Sequence, residues 1–122
     1  MRSQRDTKRL WYLEGMLSNM HSRYFFDIVL GHEVTPNKEL MESILVWWEK
    51  AKDTYRDTNS KWAVSKRDYT ALVEELNEYE TRLRAGEHEK EAKHILSLVR
   101  EWVELAIAYR VALPSNGKCL VY

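Results

Sequence analysis

Closely spaced carboxylates are the residues of this sequence with the most capacity for chemistry. Glu74, Glu75 and Glu78 crowd one stretch, and Glu101 and Glu104 follow downstream. Such groups hold magnesium when they converge from two facing helices, because the cation takes oxygen ligands and polarises a bound phosphate or water. Glu91 and His94 make an E-x-x-H, the spacing that sets a carboxylate and an imidazole on one helical face. Di-iron bundles need two such pairs with two further inward glutamates. No second E-x-x-H occurs in the sequence, nor does a glycine-rich phosphate loop. No Ser-His-Asp or Cys-His pairing can be argued from it either.

Glu74-Glu75-Leu76-Asn77-Glu78, followed by Glu101-Trp102-Val103-Glu104, resembles the EExxE…ExxD pattern of the all-helical MazG-like nucleotide pyrophosphohydrolases. Glutamate 104 stands where that pattern has aspartate. The resemblance implies magnesium held by Glu75, Glu78, Glu101 and Glu104, and hydrolysis of nucleoside triphosphates. Helical rotation opposes it. At ~100° per residue, Glu75 and Glu78 fall roughly 100° or more from the Leu76 stripe, and Glu101 and Glu104 lie as far from Val99. Solvated carboxylates are the expected reading, with no catalytic, metal or cofactor residues assigned and no enzyme activity.

His94 also points away from its stripe. His21 and His88 fall within theirs and are expected to be hydrogen-bonded structure. Arg110, on the Val99 face, is expected to snorkel near the helix end or to pair with an inward glutamate such as Glu80. Arg2, Arg5, Lys8 and Arg9 make the amino end basic, with Asp6 among them, which leaves an accessory nucleic-acid contact as an alternative. Cys119 to Tyr122 have the outline of a prenylation box with an atypical last residue and no polybasic run, so chance explains them better.

The elements that carry these residues are helices. Only four glycines and two prolines punctuate 122 residues. Leu10, Leu13, Leu17, Met20, Tyr24 and Ile28 share a sector of roughly 80°, predicting a helix over 6–30 capped by Asp6 or Thr7 and ended by Gly31. Thr35-Pro36 opens a second helix with the stripe Leu40, Ile44, Trp47, Trp48, Ala51 and Tyr55. Residues 57–60 read as a break, although a continuous helix through 57–65 remains open. Ser65 and Asp68 form a weak capping box for a third helix, ended by Gly86. A fourth runs over 87–113, with Ala92, Ile95, Val99, Trp102, Ala106, Tyr109 and Leu113 spaced by threes and fours. The expected fold is all-α: an antiparallel bundle of about four helices over 1–113, with a short ordered tail over 114–122.

Apolar residues are 44% and charged residues 31%, which is ordinary globular composition. Nineteen basic residues balance nineteen acidic ones, so no overall field argues for nucleic acid or an anionic membrane. One cysteine excludes an intrachain disulfide and suggests a reducing, cytoplasmic setting. No apolar run reaches membrane-span length, and the amino end lacks a signal-peptide core.

Several apolar residues fall off the stripes. Trp11, Tyr12, Phe26 and Leu30 lie about 120° or more from the centre of the first, and Leu45 and Val46 do the same in the second. The segment Ile44 to Trp48 is therefore apolar nearly all round and must be covered on more than one side, by a neighbouring chain segment, Trp62 or the tail included, or by another protein. Five tryptophans and seven tyrosines strengthen the interface reading, since aromatics anchor binding hot spots. The expected function is a non-enzymatic protein-binding module: an adaptor, inhibitor or accessory factor. A viral or mobile-element origin would suit this profile. The patch would comprise Trp11, Tyr12, Phe26, Leu30, Leu45, Val46 and Trp62, meeting another protein or a second copy, as in a homodimer. No membrane and no small-molecule substrate is expected.

Overall fold

Three of the four long helices begin where a hydroxyl side chain can accept a free backbone N–H. In the computed structural model, which describes residues 3–29, 35–55 and 64–112, α1 spans Gln4–Val29, α2 Pro36–Tyr55, α3 Lys66–Arg82 and α4 Glu89–Val103. Ser3 caps α1, its Oγ accepting from the Asp6 N–H at 3.1 Å. This corrects the expected cap at Asp6 or Thr7, because the helix begins earlier than the apolar stripe. Thr35 caps α2 through the Lys38 N–H at 3.2 Å, and Pro36 occupies the first helical position. Ser65 caps α3 through the Asp68 N–H at 3.0 Å, as the weak capping box predicts.

The third helix stops at Arg82, before the expected Gly86. Asn37, only 3% exposed, supplies the reason. Its amide donates to the Arg84 and Glu87 carbonyls at 2.6 and 3.0 Å, and its Oδ1 accepts from the Arg84 N–H at 3.0 Å. Those are the backbone groups a longer helix would have paired within itself. Gly86 (φ 122°) and His88 (φ 64°) then turn the chain into α4.

Helix α4 passes into a π-helical turn over Glu104–Ala108 and ends in a short α5, Tyr109–Ala112. Arg110 is 4% exposed. It neither snorkels nor pairs with Glu80: its guanidinium donates to the Tyr55 carbonyl at the end of α2. The last carbonyls of a helix lack internal partners and form its negative end, which suits a buried cation. Glu80 instead pairs with Arg100 at 2.7 Å.

The helices run alternately up and down. Thr35 and His88 meet where α2 and α4 begin, at 3.1 Å, while Tyr55 and Arg110 meet where both finish. Helices α2 and α4 are therefore parallel, with α1 and α3 antiparallel to them. α2 and α4 pack directly on each other and each also touches α1 and α3. The section is thus a rhombus rather than a square, with α1 and α3 at its far corners. Trp48 and Trp102 fill the short diagonal, both fully buried, with ring centroids 6.2 Å apart and planes at 85°. Edge-on contact of this kind suits the ring quadrupoles.

This arrangement overturns one expectation about the surface. Leu45 has no exposure at all. A helix on the short diagonal is covered by three neighbours, so its buried arc is wider than a single stripe and takes in Leu45 beside Ile44, Trp47 and Trp48. Val46 is half-buried. Gly31, Leu30, Trp62, the 57–63 connection and the 114–122 tail lie outside the described residues. No described helix is long and apolar enough to cross a membrane.

Candidate functional site

The first helix faces the core with Leu10, Leu13 and Leu17, each at most 1% exposed. That choice of inner face sends the two positions after Leu10 outward. Trp11 is 60% exposed and Tyr12 58%, and they are the exposed large apolar side chains among the described residues. Of the other positions in the expected patch, Leu45 belongs to the core and Val46 is half-buried on α2. Phe26 lies within α1, but its side chain is not among those described. Among the described side chains, the exposed part of the expected patch is the adjacent pair of rings on α1.

Arg9 braces this platform. Its guanidinium grips Glu101 of α4 in a two-pronged bond at 2.7 and 2.9 Å, and its central carbon lies 5.4 Å from the Tyr12 ring centre. The hydrogen bond from Arg9 holds the Glu101 carboxyl below the usual carboxylate range, against the opposing effect of desolvation. The same bond raises the Arg9 guanidinium above its ordinary value. A planar fork on a carboxylate fixes orientation as well as charge. One turn farther along, Glu14 accepts the Trp102 indole N–H at 3.0 Å, so α1 is pinned to α4 at two levels. No sequence signal links Arg9 to Glu101, because they are 92 residues apart.

The carboxylates that could have held magnesium are divided. Glu75 accepts the Trp47 indole N–H at 3.0 Å, whereas Glu101 is engaged by Arg9. Glu101 and Glu104 border a groove of about 240 Å³ between α3 and α4, beside Tyr69, Val73 and Arg100. Glu75 and Glu78 do not line it. Among the described residues, no group of three or more His, Cys, Asp or Glu side chains is placed to hold a metal ion. The E-x-x-H pair, Glu91 and His94, is exposed on α4.

The two stripe histidines join helices. His21 sits half-buried between Glu42 and Glu49, with ring nitrogens 3.5 and 3.7 Å from their oxygens, and so bridges α1 to α2. His88 contacts the Thr35 hydroxyl through Nδ1 at 3.1 Å. Because each ring nitrogen of His21 faces a different carboxylate, the three groups do not converge on a common point.

Two features are chemically notable: an aromatic pair turned outward from α1, and a row of glutamates on the exposed side of α3. Comparison with protein families, with characterised proteins and with solved structures returned no match to this chain.

Proposed function

We propose that the protein is a non-enzymatic binding module, an adaptor, inhibitor or accessory factor, that docks through the outer face of α1. The observation carrying this reading is the exposure of Trp11 and Tyr12 side by side, at 60% and 58%. The tryptophans of α2 and α4, Trp47, Trp48 and Trp102, are by contrast buried in the core. Two adjacent aromatic rings on a rigid helix are an economical anchor, since a helix loses little freedom on binding and each ring brings a large area. Among the described residues, the carboxylates are distributed among structural bonds and a solvated face.

The test is affinity capture from the source cell with the folded protein and with Trp11→Ala/Tyr12→Ala. The double variant is expected to lose at least ~10-fold of the captured partner, in line with truncation of two interface anchors. Equal capture by both forms, with circular dichroism showing both folded, would overturn the proposal.

A further inference from the structure

We propose that the outer face of α1 docks on the outer face of α3 in a second copy of the chain, head to tail. The inference rests on the docking role given to α1 above and names its occupant. Charge complementarity carries it. Up to Arg23, every exposed position of α1 is basic, neutral or aromatic, including Arg5, Lys8, Trp11, Tyr12 and Gly15. The two acidic residues of that stretch, Asp6 and Glu14, are half-buried, and Glu14 is bonded to Trp102. On α3 the exposed middle is the reverse: Ala71 followed by Glu74, Glu75 and Glu78. A cationic, aromatic stretch of α1 and the acidic middle of α3, set between Arg67 and Arg82, thus lie on the two far corners of one molecule.

Shape agrees with charge. A Cβ built on Gly15 would meet nothing within 4 Å, and Ala71 is the small residue on the facing helix. Small residues at the crossing let two helices approach to about 8–10 Å, with Trp11 and Tyr12 overlapping the stems of the glutamates.

Symmetry then fixes the kind of assembly. Pairing α1 with the α1 of another copy would set like charges against each other. A two-fold dimer cannot satisfy both faces either, because α1 and α3 sit on opposite sides of the α2–α4 pair. Each contact leaves one α1 and one α3 unpaired at the ends, so association is open-ended or closes as a ring.

Sedimentation velocity on the full chain tests this, with Lys8→Glu, Glu78→Lys and an equimolar mixture of the two. The wild-type weight-average sedimentation coefficient is expected to rise with protein concentration in ~50 mM salt and to fall back in ~500 mM salt, where screening is strong. Each variant alone is expected to lose at least ~10-fold in association constant, because it opposes like charges at this contact. The mixture is expected to recover association, since every contact between unlike variants again pairs opposite charges. A wild-type chain that stays monomeric throughout overturns the inference, as does association unaffected by Glu78→Lys or assembly that appears only on adding an oligonucleotide. If the wild type is monomeric yet Trp11→Ala/Tyr12→Ala abolishes capture of a different protein, the docking reading survives and only the self-association fails.

Discussion

Leu45 and Trp11 both fall off their helical stripes, yet one is fully buried and the other 60% exposed. Their alanine variants should therefore separate fold from docking. Leu45→Ala removes a side chain packed on all sides and leaves a cavity on the short diagonal, which costs about 2–5 kcal/mol. At roughly 4 °C per kcal/mol for a domain of this size, the melting temperature should fall by about 8–20 °C. Trp11 keeps only the remaining 40% of its surface in contact. On a side chain burying at most ~250 Å², that is ~100 Å², an upper bound of ~2.5 kcal/mol at ~25 cal/mol per Å². Much of that contact is with its own helix, and denatured chains retain part of such burial. Alanine is also the better helix former by some tenths of a kcal/mol, so the net cost of Trp11→Ala should be about 1 kcal/mol or less. Urea unfolding followed by far-ultraviolet circular dichroism measures both. If Trp11→Ala proves as costly as Leu45→Ala, Trp11 is a folding residue and the docking assignment fails.

Three further outcomes follow from the geometry. Asn37→Ala deletes three hydrogen bonds that hold the α3–α4 connection against α2, and urea unfolding should show a loss of about 2–4 kcal/mol; a loss under ~1 kcal/mol would show that water replaces them. The depressed Glu101 carboxyl contributes stability that is present above its unfolded value and lost as pH falls through the folded one. Acid unfolding of Glu101→Gln should therefore be less steep below about pH 4 than that of the wild type, by a small margin that salt removes because the pair is well exposed. Burial raises Tyr79, Tyr55 and Tyr69 above the ordinary phenol value. Their contribution is complete below about pH 10 and is lost as pH rises through the raised values, so absorbance at 295 nm should show them ionising later in the folded protein than in urea.

The helices were legible where local chemistry decides them. Thr35-Pro36 and Ser65 with Asp68 mark helix starts by what their own side chains bond. Long-range pairing was not legible. Arg84 stops α3 because Asn37, 47 residues earlier, takes its backbone groups, and Arg110 is buried because the carbonyl end of α2 lies beside it. Leu45 was misplaced for a related reason. Helical rotation measures distance from one stripe, whereas a helix at the centre of a rhombus has neighbours on three sides. The unbroken apolar run Ile44 to Trp48 held that signal, and neighbouring helices supply the cover it demands. Trp11 and Tyr12 were legible because an edge helix has one buried face and rotation alone then separates inside from outside.

Abundant aromatic residues are thus not themselves a docking signature here, since α2 and α4 consume three of the five tryptophans in the core. What matters is the burial left unrealised on α1. With 60% of Trp11 and 58% of Tyr12 exposed, and full areas of roughly 250 and 200 Å², about 265 Å² stays open, near 6–7 kcal/mol at ~25 cal/mol per Å². Bringing two molecules together costs about 4–15 kcal/mol in lost translational and rotational freedom. The rings alone therefore hover around break-even, and a second attraction must decide whether a partner stays bound. Among the described residues of α1, Arg5 and Lys8 stand on the same exposed face without a carboxylate beside them on it. Binding at α1 should accordingly weaken steeply with ionic strength, whereas a purely apolar contact of the same size would hold or strengthen in salt.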